Sequence, residues 1–148
     1  AMRMIADGTY SHSGTYNANV VQCAAVSATM DVLAEPGLYE RQRALGNRLA
    51  RGLEGIATAK GIDAYVEGIG TVFQLWFADR PIRNWRDAAA HAREDIFPRW
   101  YEEMIVRGVL FHPLQFENLF VSLVHTDEDI DATLNAAEDA LSVVAREF

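Results

Sequence analysis

A chain of 148 residues and 16.5 kDa with 50% hydrophobic and 23% charged residues has the size and balance of one folded domain with a single core, which excludes disorder. A net charge of −8 and a pI near 4.9 exclude a nucleic-acid surface, which needs clustered Lys and Arg to neutralise phosphates. No apolar run approaches the roughly 20 residues of a membrane helix. The opening Ala1-Met2-Arg3-Met4-Ile5-Ala6-Asp7 lacks the apolar core and cleavage site of a signal peptide, so the expectation is a cytoplasmic protein with no membrane contact. The single cysteine, Cys23, forms no internal disulfide, as expected in a reducing compartment. All but one of the 13 basic residues are arginine, the exception being Lys60.

Residues 1–16 are rich in Gly, Ser, Thr and Tyr and read as irregular chain, with turns at Asp7-Gly8 and Ser13-Gly14. From Asn17 to about Leu33, Val20, Val21, Ala24, Ala28 and Val32 recur at helical spacing, and Glu35-Pro36-Gly37 ends that helix. The next helix carries Leu38, Leu45, Leu49, Leu53 and Ile56 on one stripe, with Arg41, Arg43, Arg48 and Arg51 mostly off it. Lys60-Gly61 supplies its cationic last turn and a left-handed cap.

Two extended runs follow, Asp63 to Glu67 and Thr71 to Ala78, joined by Gly68-Ile69-Gly70. The near-continuous Val72, Phe73, Leu75, Trp76 and Phe77 predict a strand covered on both faces. A helical stretch from about Trp85 to Arg107 must kink or restart at Pro98. Val109 to Phe111 and Leu119 to Val124 predict two short strands around the loop His112 to Asn118. Thr126-Asp127-Glu128-Asp129 predicts a capping box for a last helix with the stripe Ile130, Leu134, Ala137, Leu141 and Val144. The resulting order, two helices, two strands, a broken helix, two strands and a helix, predicts a two-layer α+β fold with a short, mostly antiparallel sheet covered by helices. Residues 1–34 need not belong to it, and their alanine-rich face would seek another domain or subunit.

Several chemistries lack their motif. His12, His91, His112 and His125 lie far apart, none at the spacing of a zinc helix, so they read as surface or singly hydrogen-bonded histidines and no metal site is expected. Neither a Gly-x-Ser-x-Gly elbow nor a phosphate loop ending in Gly-Lys-Ser/Thr occurs, and Gly68-Ile69-Gly70 suits a hairpin better than a dinucleotide site. Two stretches carry more. In His12-Ser13-Gly14-Thr15-Tyr16-Asn17-Ala18-Asn19 a glycine and a hydroxyl residue precede a helix, where free N–H groups favour an anion such as phosphate; the other reading is a helix cap by Thr15 or Asn17. In Pro113-Leu114-Gln115-Phe116-Glu117-Asn118 a carboxylate flanked by Phe116, Leu119 and Phe120 is either a solvated loop residue or a partly buried group with a raised pKa and an orienting role.

The runs Gly14-Thr15-Tyr16-Asn17-Ala18-Asn19, Pro36-Gly37-Leu38-Tyr39-Glu40-Arg41, Gly68-Ile69-Gly70-Thr71-Val72-Phe73, Gln115-Phe116-Glu117 and Phe120 to Asp131, in this order, resemble the C-terminal part of a class III pyridoxal-phosphate aminotransferase of the glutamate-1-semialdehyde aminomutase type. The resemblance implies that residues 1–36 are a connecting arm and helix from a large cofactor-binding domain and that residues 37–148 are the C-terminal small domain. It implies a homodimer, the cofactor pyridoxal 5′-phosphate (PLP), and small amino and keto acids as substrates. It assigns Gly14 and Thr15 to the phosphate of the neighbouring subunit's cofactor and Glu117 to an orienting or electrostatic role toward the cofactor amine or substrate. The family's catalytic lysine, which forms the Schiff base, matches nothing in this chain. Lys60 falls at a predicted helix end instead, so the chain alone is expected to be inactive, a fragment or separate domain of a larger enzyme that does not retain PLP by itself. Two positions depart from the family: Val20 follows Asn19 where proline is common, and Ala18 replaces a common glycine. The alternatives are a noncatalytic α+β interaction module dimerising through its N-terminal helix and, more distantly, a zinc hydrolase using the histidines.

Overall fold

The computed structural model describes residues 2–148, which divide between Pro36 and Gly37 into two compact units. In the first, a one-turn helix α1 (Met2–Ala6) stands where irregular chain is expected. Asp7 and Gly8 close it: the Asp7 amide donates to Arg3 O and the Gly8 amide to Ile5 O, with Gly8 at φ 76°. A glycine of positive φ serves a turn and a helix C-terminus equally well, so Asp7-Gly8 is a cap rather than a free turn. Helix α2 (Val20–Leu33) begins three residues later than the pattern predicts, because the Asn19 side chain accepts the Gln22 amide at 3.1 Å. It contains no buried residue, and Val20, Val21, Val26 and Met30 are all exposed.

The second unit opens with α3 (Leu38–Ala59), whose predicted stripe buries Leu45, Leu49 and Leu53. Strands β1 (Ala64–Ile69) and β2 (Val72–Phe77) form an antiparallel hairpin with Ile69 opposite Val72, leaving Gly70 and Thr71 as the two-residue loop. Gly70 has φ 66°, the positive value that a two-residue hairpin turn takes at its first position. The side chains of β2 alternate. Phe73, Leu75 and Phe77 enter the main core with α3 and the later helices, while Trp76 joins Ala78, Ile82 and Ala88 on the opposite face. The strand is thus covered on both sides, as its apolar run predicts.

The stretch after Pro81 is two helices, α4 (Trp85–His91) and α5 (Ile96–Val106). The break precedes Pro98: Ala92 is extended and bridges Ala78, and the Arg93 amide donates to Phe77 O at 2.7 Å, so the end of β2 interrupts the helix. Pro98 is the third residue of α5, where an N–H has no intrahelical partner, so the helix restarts around it without a lost bond. Val109 to Phe111 form no strand, which corrects the sequence expectation. The Val109 amide closes α5 by donating to Met104 O, and the Phe111 ring stacks on Trp100 at 5.2 Å, so this segment contributes its side chain and not a ladder. Strand β3 is only Leu119–Phe120, antiparallel to β2 in the order β1-β2-β3. Helix α6 (Asp127–Val144) starts with the expected capping box: Thr126 Oγ1 accepts the Asp129 amide and Asp129 Oδ2 accepts the Thr126 amide at 2.8 Å. Helices α3, α5 and α6 form one layer over the sheet, giving the two-layer α+β arrangement.

The tightest approach in this layer is Gly46 of α3 against the hairpin loop, where an added Cβ would lie 2.3 Å from Gly70 O and 3.0 Å from Thr71 Cα. Alanine would gain about 1 kcal/mol of helix propensity but would force backbone apart at an overpacking cost of about 1–3 kcal/mol. Gly46→Ala is therefore expected to lower the urea midpoint at unchanged m-value. A second expectation concerns acid. The Thr126 amide and hydroxyl hold the Asp129 carboxyl below its ordinary 3.8, and Arg107 and Arg99 hold Glu103 below its ordinary 4.5. Both protons bind the unfolded chain more tightly, so the stabilisation is complete above those ordinary values and is lost as pH falls through the lower folded ones. Thermal midpoints measured on acidification should fall in that window, with a shallower fall in Asp129→Asn.

Candidate functional site

The loop from Pro113 to Asn118 is positioned by two hydrogen bonds to β2. Gln115 is buried, and its Oε1 accepts the Phe77 amide at 2.9 Å; from the strand, Gln74 Nε2 donates to Phe116 O at 2.7 Å. The Phe116 ring meets Trp76 and Trp85, each with centroids 5.3 Å apart. With Gln115 and Phe116 turned into the protein, Glu117 is left exposed, its amide donating to Leu114 O. Of the two readings of this carboxylate, the solvated loop residue is the one that occurs: Phe116 packs away from it and Phe120 is itself exposed.

Glu117 lines an open cavity of about 550 Å³ together with Tyr101, His112, Asn118, His125 and Thr133, over a floor of Leu49, Leu119 and Ile130. Its lining includes no Arg or Lys. The two histidines, far apart in sequence, both line this cavity. Their surface reading captured the single local contacts and missed the convergence, which depends on how β3 and α6 return to the end of α5. Gln115 was also missed as an anchor; its one signal is a polar residue between Leu114 and Phe116.

In the first unit, Gly14 and Thr15 lie on a turn in which the Asn17 amide donates to Gly14 O at 3.0 Å. A Cβ at Gly14 would come within 2.8 Å of Asn17 Oδ1, and Asn17 Nδ2 in turn contacts His12 Nε2 at 3.3 Å. Neither Thr15 nor Asn17 caps α2, since Asn19 does, so Gly14-Thr15 stand ahead of the helix N-terminus rather than on it. Ala18, where the family resemblance expects glycine, takes φ 58°. The Thr15 hydroxyl is exposed and has no partner among the described residues, and no carboxylate occurs between Asp7 and Asp31. Free N–H and O–H donors without nearby acid fit a phosphate dianion. Lys60 caps the end of α3 and pairs with Glu138 at 3.6 Å. Among the described residues no three His, Cys, Asp or Glu side chains are grouped to hold a metal, and no helix is long and apolar enough to cross a membrane.

Residues 1–141 match the aminotransferase class-III family. The chain belongs to the class III aminotransferases. It is 39% identical over 134 residues to the glutamate-1-semialdehyde 2,1-aminomutase of Desulfosudis oleivorans, covering 89% of this chain and 31% of that protein. It is 38% identical over 142 residues to the enzyme of the same name from Thermomicrobium roseum, covering 95% and 32%. The chain therefore spans about a third of the length of the curated relatives it matches. Among solved structures it resembles the PLP internal aldimine form of the FumI protein of Sphingopyxis sp. MTA144, with TM-score 0.75, 27% identity and coverage of 94% of this chain and 30% of that one. It also resembles the β-phenylalanine aminotransferase of Variovorax paradoxus, with TM-score 0.71, 28% identity and coverage of 88% and 30%. This membership does not favour a freestanding noncatalytic module.

The Gln115 anchor makes a specific expectation. Gln115→Ala leaves the Phe77 amide buried without an acceptor, at a cost of about 1–3 kcal/mol. The urea midpoint should fall accordingly, and hydrogen exchange should accelerate at Phe77 and through residues 113–118.

Proposed function

We propose that this chain is the C-terminal portion of a PLP-dependent aminotransferase of the glutamate-1-semialdehyde aminomutase type, which moves an amino group within or between small amino and keto acids. The observation that carries the reading is 39% identity to such an aminomutase across 89% of the chain. The lysine that the reaction requires then belongs to the remaining two thirds of the enzyme, because Lys60 is engaged with Glu138 at a helix end. Residues 1–36 are the connecting arm from the large domain and residues 37–148 the small domain. The complete enzyme is a cytoplasmic homodimer.

PLP, when bound, supplies the electron sink that makes the carbon bearing the amino group acidic. The contributions of this chain are binding and electrostatics. Gly14 and Thr15 would hold the phosphate of the neighbouring subunit's cofactor, the Thr15 hydroxyl as a donor to it. Gln115 and Gln74 hold the loop that presents Glu117, whose carboxylate orients the cationic amine of substrate or cofactor.

The test is made on the full-length gene product. It should be yellow, with cofactor absorbance between about 330 and 430 nm, while the 148-residue chain is colourless. In the full-length enzyme Thr15→Ala should raise the PLP dissociation constant by about tenfold to a hundredfold, the worth of one hydrogen bond to a charged group. A colourless full-length protein, or PLP affinity unmoved by Thr15→Ala, sinks respectively the enzyme reading and the phosphate assignment.

A further inference from the structure

The cavity beside Glu117 holds two imidazoles whose protonation pattern is set by their own turns. His112 Nδ1 accepts the Leu114 amide at 3.2 Å, and His125 Nδ1 accepts the Ser122 amide at 2.9 Å, with Ser122 Oγ 3.0 Å away. A backbone N–H can only meet a ring nitrogen without a proton, so the neutral form of each ring carries its hydrogen on Nε2. Neither of these Nε2 atoms has a hydrogen-bond partner among the described residues. No guanidinium or ammonium lines the cavity and Glu117 is the one carboxylate among its lining residues, while Asp129 stands close enough to His125 for their charges to interact.

We infer that His112 and His125 form the carboxylate-binding end of this cavity, its ligand being a small amino or keto acid whose carboxylate takes the two Nε2–H donors. The inference rests on the reading of Glu117 as facing the reacting centre. An amine at Glu117 and a carboxylate at the imidazoles place opposite charges at opposite partners, and Leu49, Leu119 and Ile130 offer an apolar floor to the carbon chain between them. The volume, about 550 Å³, lies within the range of small-molecule sites.

Two pairs of variants separate ligand binding from support of the loop. Asparagine reproduces the Nδ1 acceptor but lacks a donor at the Nε2 position; glutamine reaches the Nε2 position with an amide N–H but lacks the near acceptor. Equilibrium dialysis of radiolabelled 2-oxoglutarate against the full-length protein reads both. His112→Asn with His125→Asn is expected to weaken binding about tenfold or more, and His112→Gln with His125→Gln to retain most of it. The reverse order, an unmoved dissociation constant in the asparagine pair, or no binding by the unmodified protein overturns the assignment, the first because it makes the rings struts of their turns. Cofactor absorbance of the same preparation is a separate readout: its absence overturns the proposed function, while the dialysis series judges the histidines either way.

Discussion

Strand β2 must be covered on both faces at once, and most of the second unit is arranged to do so. Phe73, Leu75 and Phe77 are buried in the core that α3, α5 and α6 also line, at about 1.5–3 kcal/mol per side chain. Trp76, pointing the other way, would be left in water if the chain after Ala78 did not fold back through Ile82 and Ala88. The same strand has polar obligations at its end. Phe77 O takes the Arg93 amide and Phe77 N is taken by Gln115, so one residue breaks the helical run after Pro81 and anchors the loop that carries Glu117.

That shared dependence links core to site. The loop from Pro113 to Asn118 has little regular structure, yet it is held at Gln115 and at Phe116 O by β2 and at the Phe116 ring by Trp76 and Trp85. Glu117 is exposed because its neighbours are not. Its carboxylate faces solvent on a loop held at these points, beside an open cavity that two histidines also line. The first unit has the complementary character: α2 is rich in apolar residues and buries none of them. The chain spans about a third of the length of its curated relatives, and a helix with this much exposed apolar surface is suited to packing against another domain or subunit.

Much of this was legible from local rules. The stripe of α3, the capping box of α6, the hairpin glycines and the two-sided burial of β2 follow from spacing and residue type, which act over a few residues. The failures share a cause. Val109 to Phe111 have strand-like side chains, but Phe111 is satisfied by stacking on Trp100, and the outer edge of β2 is met by Leu119 and Phe120 instead. Local rules put the helix break at Pro98 because proline is the visible helix breaker, whereas the acceptor that sets it at Ala92–Arg93, Phe77 O, lies on a strand that sequence spacing does not bring near.

The sequence by itself determined the α+β class, the β1-β2 hairpin, the buried stripes of α3 and α6 and the family resemblance, since these reside in short-range periodicity and in motifs read along the chain. Tertiary structure alone decided that Glu117 is exposed, that Gln115 is the buried anchor, and that His112 and His125 share a cavity with Glu117. Those facts depend on which distant backbone groups need partners and which side chains fill the space first. Neither is encoded at any one position.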